Sequence, residues 1–387
     1  MRRKPARRYV AAIEFSFHLG ELYFWAPILA TLRWAPGERV AVVFTSGQLY
    51  REFLADPLLV AAFEGIPVEV IRAPLRAPRE TSSYRRAALG VLGRLLIRPW
   101  IPARLAGVVR GTPLLFAQVA GGYIERLLPR RSVPRIVRFP HTSAAQIMDL
   151  EAARRTRFRN RILPEESMLV LDPEAVEYYR LYGAEHFVVL GYHQLSDDWI
   201  ERVRVVARDR FGLGEHAVLF SFAARDDMLP RAKWEQLHRT AIDAIRAVYG
   251  DLPIVIKPHP NQPVEDLQAL AADAGWRDVH IRTEHPMLWS VGAEVGVGIL
   301  TGGIYNTHLL GIPSINYFNA QDEYAAGHGS FMQDLSLVGI PGATDEEELR
   351  NLLQRAHDGA VASDFGARRR GIPRIATWSE LAAGLER

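Results

Sequence analysis

From Val295 to Gln321 the chain carries no Asp, Glu, Lys or Arg, and a stretch of that length without a charge has to be covered by protein on several sides. Glu294-Val295-Gly296-Val297-Gly298-Ile299-Leu300 reads as a fully buried strand, Thr301-Gly302-Gly303 turns the chain into a short helix, and Gly311-Ile312-Pro313 stops that helix before the next strand. Such a unit belongs in the middle of a parallel α/β sheet rather than at its edge. It is too rich in Gly and Asn to cross a membrane.

The same alternation runs through the rest of the chain. Strands are predicted at Tyr9 to Phe17, Val40 to Ser46, Ile66 to Ile71, Pro113 to Gln118, Arg135 to Phe139, Met168 to Leu171 and His186 to Gly191. After Tyr192 to Asp198, whose polar residues read as a linker, strands restart at Ala217 to Ala223, Pro253 to Lys257, Asp278 to Arg282, Val295 to Leu300 and Ser314 to Phe318. Helix-length segments separate them. This predicts two doubly wound, Rossmann-like α/β domains facing across a cleft: an acceptor domain over 1–193, a nucleotide-donor domain over 194–372, and a C-terminal helix over 373–387 that returns to the first domain. A chain of 387 residues, 48% hydrophobic and 24% charged, is long enough for two such cores. It has no cysteine, which excludes disulfides and thiolate-bound metal and suits a reducing cytoplasm. The basic Met1 to Arg8 segment resembles the start of an export signal, but Glu14, His18 and Glu21 interrupt the apolar run, so a cytoplasmic location is expected.

Chemistry concentrates at two strand ends in the second half. Ile254-Val255-Ile256-Lys257-Pro258-His259-Pro260 is a β-branched run closed by two prolines, which puts a lysine and a histidine where open α/β sheets bind ligands. Some forty residues later, Gly302 and Gly303 allow close backbone approach, Thr301 supplies a cap or a donor hydroxyl, and the helix start offers N–H groups to an anion. Both elements suit a phosphate. Lys257 can equally be a solvated strand-end charge, and His285-Pro286, which copies the dipeptide without the lysine, reads as a helix start.

Lys-Pro-His-Pro at a strand end, followed by a small-residue turn and a helix ending in Gly-Ile-Pro, resembles the C-terminal half of GT-B glycosyltransferases that build bacterial surface polymers. That group includes polysialyltransferases, capsule Kdo transferases and CDP-glycerol glycerophosphotransferases, which use cytidine-nucleotide donors. The resemblance implies a GT-B-like fold and donor-phosphate roles for His259 and Thr301. Gly302-Gly303 departs from that group's double hydroxyl and is more similar to the Ser-Gly-Gly turn of UDP-N-acetylglucosamine 2-epimerases. Asn306 stands where many GT-B enzymes carry a ribose-binding Glu, which leaves the nucleotide open between CMP, CDP and UDP types. Lys257 and Arg225, the latter after the first strand of the second domain, complete the expected donor-phosphate set.

The first half is expected to supply the base. Phe139-Pro140-His141-Thr142 is similar to an acceptor-activating His-Gly motif of the glycerophosphotransferase-like enzymes, without its glycine. Glu21 and His18 fall where the first predicted strand meets its helix. A neutral histidine takes a hydroxyl proton at little cost near pH 7, and burial lets a glutamate do so, which ranks His141 first, Glu21 second and His18 third. Each histidine alone also fits a structural, hydrogen-bonded role.

No P-loop, zincin or serine-hydrolase signature is present, and no Asp-x-Asp metal motif. Asp197-Asp198 and Asp226-Asp227 read as helix caps or solvated loop. A metal-independent reaction is therefore expected, with helix N-termini and cations holding the leaving phosphate and no cofactor beyond the activated donor. Arginines cluster at 1–8, 85–110, 126–138 and 154–161, and Tyr84 to Trp100 mixes arginine with a Leu/Ile/Trp face. That segment fits either an interfacial helix on the inner face of a membrane or an ordinary helix packed on the sheet. Nucleic-acid recognition lacks any accompanying motif. Three classes result: a transferase moving a sugar or polyol phosphate from a nucleotide donor to a glycan or lipid-linked acceptor of a surface polysaccharide, a UDP-sugar 2-epimerase-like isomerase, and a non-catalytic subunit that binds nucleotide or glycan.

Overall fold

The computed structural model describes residues 8–16, 19–73, 105, 107–108, 111–119, 124, 135–140, 150, 162–212, 214–222, 229–260, 262–317, 335–361 and 364–386. They form two compact units. The chain passes from the first to the second after His193 and returns to the first for Pro373–Arg387, while Gln194–Ile372 belongs to the second.

In the first unit seven strands form one sheet: β1 (Arg8–Phe15), β2 (Glu38–Phe44), β3 (Val68–Arg72), β4 (Leu114–Gln118), β5 (Arg135–Phe139), β6 (Ser167–Val170) and β7 (His186–Val189), in the order β3-β2-β1-β4-β5-β6-β7. Every pairing is parallel. Chain order reverses between β1 and β4, the signature of a doubly wound sheet. Helix Leu19–Thr31 follows β1, and helices Gly47–Ala55 and Pro57–Phe63 follow β2, their first turns capped by Ser46 and Asp56. The C-terminal helix Trp378–Leu385 completes this unit. Its Trp378 lies nearly parallel to Trp25, with ring centroids 6.5 Å apart, and also meets Trp34 and Phe116.

The second unit repeats the plan with β8 (His216–Ser221), β9 (Ile254–Pro258), β10 (Val279–Ile281), β11 (Ala293–Ile299), β12 (Ser314–Tyr317) and β13 (Gly342–Ala343), again all parallel, in the order β10-β9-β8-β11-β12-β13. Here the reversal falls between β8 and β11. The charge-free stretch puts β11 between β8 and β12, inside the sheet as its composition requires. One core joins Ala217, Leu219, Ile254, Ile256, Val295, Val297 and Ile299 to Leu237, Ala241 and Ile245 of helix Arg231–Tyr249 and to Leu349 and Leu353 of helix Glu346–His357.

Two expectations change. Tyr192 to Ser196 is buried rather than solvated. Two of its polar side chains have partners inside the protein: Thr31 donates to Pro27 O and accepts from His193 Nδ1 at 2.6 Å, and Ser196 caps helix Asp197–Phe211 by accepting from Trp199 N–H. Leu300 is not part of β11. It leaves the strand at φ 52°, a left-handed conformation costing an L-residue about 1–2 kcal/mol. Among the described residues no helix is long and apolar enough to cross a membrane. The segment Tyr84 to Trp100 and most of the arginine clusters lie outside the described residues.

Candidate functional site

Three parallel strands of the second unit end side by side at its topological switch point, where doubly wound sheets bind ligands. Their ends are tied laterally. His259 N–H, just past β9, donates to Ser221 O at the end of β8 at 2.8 Å, and Phe222 N–H, just past β8, donates to Ile299 O at the end of β11 at 3.1 Å. The half-buried His259 ring packs on Phe222, with centroids 5.2 Å apart.

Beyond β11 the strained Leu300 delivers Thr301-Gly302-Gly303. Thr301 caps a single 3-10 turn, Gly302–Ile304, by accepting from Gly303 N–H at 3.1 Å, and helix Tyr305–Leu309 continues from it. The turn needs glycine at 303, because a Cβ there would stand 2.9 Å from Phe220 Cδ1 on β8. The turn thus rests directly on the neighbouring strand. Two details differ from the expectation of an open anion site. Gly303 N–H is already satisfied by the threonine hydroxyl, and Asn306 Nδ2 donates to Gly303 O at 2.9 Å, holding the turn.

Lys257 is not a solvated strand-end charge. Alternation along β9 sets it with Val255 on the face opposite the core residues Ile254 and Ile256, and it is only 5% exposed. Its Nζ donates to Pro258 O at 3.0 Å. Nearby, His285 caps helix Pro286–Ser290 through Nδ1, which accepts from Met287 N–H at 3.1 Å, so the pair His285-Pro286 does begin a helix. Burial first, and then the Lys257 charge, pushes His285 down to about 3. It is a neutral cap beside a buried cation.

A further pair was not legible as a site residue set. His238 Nδ1 lies 2.7 Å from Trp234 O and Nε2 2.7 Å from Ser221 Oγ. Burial lowers its pKa to about 4. The carbonyl only accepts, so Nδ1 carries the proton, and the neutral ring takes the Ser221 hydroxyl hydrogen on Nε2. The one sequence signal is a histidine four residues after a tryptophan on the apolar face of a helix, which by itself reads as core.

In the first unit the switch point lies between β1 and β4. Glu21, fully buried in the first turn of its helix, accepts from Ser16 N–H at 2.7 Å. Glu14, buried on β1, accepts from Ser16 Oγ at 2.6 Å and from Ile124 N–H at 3.0 Å, and Thr45 Oγ1 donates to Ser16 Oγ at 2.8 Å. Glu21 therefore sits at the carboxyl end of β1 within a hydrogen-bonded carboxylate network. His18, His141 and Arg225 lie outside the described residues.

No protein-family model matches the chain. No curated protein matches it either. Solved structures do. It is similar to UDP-GlcNAc 2-epimerase from Methanocaldococcus jannaschii in complex with UDP-GlcNAc and UDP, with a TM-score of 0.55 at 14% identity over 89% of this chain and 92% of that one. The S. aureus MnaA–UDP co-structure gives 0.52 at 12% over 94% of each chain. Medicago truncatula UGT71G1 complexed with UDP-glucose gives 0.52 at 8% over 98% and 97%. At these identities the likeness establishes the fold: two Rossmann-like, doubly wound parallel α/β domains of the GT-B kind.

Proposed function

We propose that the protein is a GT-B enzyme acting on a nucleotide-activated sugar or polyol, with its second unit holding the donor phosphates. The observation that carries this reading is the convergence of His259, Ser221 and the Thr301-Gly302-Gly303 turn at the β8/β11 switch point, linked by hydrogen bonds across three strand ends. Structures of the same fold whose names include UDP or a UDP-sugar support it. In the transferase form an acceptor hydroxyl oxygen attacks the anomeric carbon, the carbon–oxygen bond to the diphosphate breaks, and the hydroxyl proton passes to a base, for which His141, then Glu21 and His18, are the candidates. His259, Lys257, Arg225 and the Thr301 turn take up the charge of the leaving nucleotide, and Asn306 stays with the turn. Such a reaction extends a surface polysaccharide and needs no resident metal. It suits an enzyme in the cytoplasm or at the inner face of the membrane.

A second reading is isomerisation at C2 of a UDP-sugar. It is favoured by the Gly302-Gly303 turn and by the likeness to the M. jannaschii epimerase. Melting curves with CMP, CDP, UDP and GDP test the shared premise, since a ligand that binds the native state raises its stability by mass action. Incubation with UDP-GlcNAc alone then separates the forms. Conversion to the 2-epimer without acceptor supports the isomerase, whereas nucleotide release that depends on a glycan acceptor supports the transferase. Binding without either reaction points to a non-catalytic subunit, and no thermal shift with any of the four nucleotides overturns the proposal.

A further inference from the structure

We infer that Ser221 and His238 are positioning residues that set the orientation of His259 at the proposed donor site. The inference rests on that reading of the site, but its structural part can be tested without it.

Helix Arg231–Tyr249 grips the end of β8 at two points. Trp234 Nε1–H donates to Phe222 O at 2.9 Å, and His238 Nε2 accepts the Ser221 hydroxyl at 2.7 Å. The two helical residues are themselves coupled, with ring centroids 4.3 Å apart and His238 Nδ1–H donating to Trp234 O. The dipeptide they hold, Ser221-Phe222, is the one that positions His259: Ser221 O accepts its backbone N–H, and the Phe222 ring packs on its imidazole. A chain of directed contacts therefore runs from a buried helix face to the histidine at the strand end.

The direction of each bond matters. Ser221 Oγ also lies 3.0 Å from Phe222 O, so its single hydrogen has two acceptors to choose from. If it turned to Phe222 O, the bare Nε2 of the neutral His238 would face an oxygen lone pair inside the core, a cost that keeps the hydrogen on His238. The neutral His238 ring thereby sets the direction of the Ser221 O–H bond. Both residues are essentially inaccessible, at 1% and 0% exposure, which rules out direct attack on substrate and leaves positioning as their action.

The test uses the full chain labelled with 13C at histidine Cε1, with the His259 resonance assigned by His259→Asn. Ser221→Ala is expected to shift the His259 resonance and its titration midpoint, and to raise the Kd for UDP about three- to tenfold, the effect of losing one buried hydrogen bond. His238→Leu should do the same, and the Ser221→Ala/His238→Leu double variant should do no more than either alone. His238→Gln keeps an acceptor for the serine and should restore wild-type values. A folded Ser221→Ala protein with an unchanged His259 titration overturns the inference, even if its melting temperature falls. Failure of the wild type to bind any of CMP, CDP, UDP and GDP would instead remove the donor reading, while the NMR arm still decides whether Ser221 governs His259.

Discussion

A Cβ built on Gly296 would stand 2.7 Å from Thr307 Oγ1. The glycine lies on the central strand β11, and Thr307 belongs to the helix after the Thr301-Gly302-Gly303 turn, where its hydroxyl donates to Ile304 O and meets Ser314 Oγ. Gly296→Ala is therefore expected to force that helix away from the sheet and destabilise the protein by about 1–3 kcal/mol, as overpacking does. Gly214→Ala is the control. Its Cβ would meet nothing, and the change should stay within about 0.5 kcal/mol in urea unfolding.

In the first unit Arg138 on β5 holds Glu166 in a bidentate pair, Nε to Oε2 at 2.8 Å and Nη2 to Oε1 at 2.6 Å, with side chains 8% and 3% exposed. Removing one partner strands a buried charge. Glu166→Ala should cost about 3–5 kcal/mol, whereas Arg138→Met combined with Glu166→Leu should come out near neutral. Equal losses in both variants, measured by chemical denaturation, would show that packing and not charge is at stake.

Acid should weaken the fold through its histidines. His238 is held at about 4 and His285 at about 3, both below the unfolded value of about 6.5. Between those values the unfolded chain binds more protons than the native one, so their contribution is complete above about pH 6.5 and is lost as pH falls toward 4 and then 3. Each adds a slope of up to ~1.4 kcal/mol per pH unit in that window. In His285→Asn, where the amide can still cap the helix, the slope between pH 6 and 4 should flatten by about that amount.

At the proposed donor site, His259→Ala should lower turnover on the order of ~10²-fold with an unchanged melting temperature, the usual effect of losing one phosphate-directed donor. Thr301→Val should act on both quantities, since the hydroxyl caps the turn: about 0.5–2 kcal/mol of stability together with weaker nucleotide binding. Near-normal turnover in folded His259→Ala would remove that residue from the site.

Turnover should survive EDTA, because the sequence offers no Asp-x-Asp pair to hold a nucleotide-bound divalent ion. Loss of activity in EDTA that Mg²⁺ or Mn²⁺ restores would contradict stabilisation by cations and backbone N–H groups.

The strands were legible because buried parallel strands are short β-branched runs bounded by turn residues. Predicted and observed limits differ by a few residues at most, as at Ile254–Pro258 and Ser314–Tyr317. The exception, β13, is only Gly342–Ala343 and has no periodicity to read. Polar character at Tyr192 to Ser196 did not show that the linker is buried, since residue type does not reveal that Thr31, far away in sequence, will meet His193. The same limit hid half of the candidate site. Lys257 read equally as a phosphate ligand or a solvated strand-end charge, because residue type does not show its burial, and nothing local to Ser221 or His238 tells that a helix will bring them together.

The return of Pro373–Arg387 to the first unit has a consequence for biosynthesis. Trp378, Leu381 and Leu385 fill that unit's core, yet they leave the ribosome about 180 residues after His193, on the order of ten seconds or more later at ordinary elongation rates. Throughout that interval the surface that Trp25, Trp34 and Phe116 present to Trp378 stands uncovered. The second unit has all of its own strands in hand before the first can close, so during synthesis the later half of the protein is the one able to finish folding first.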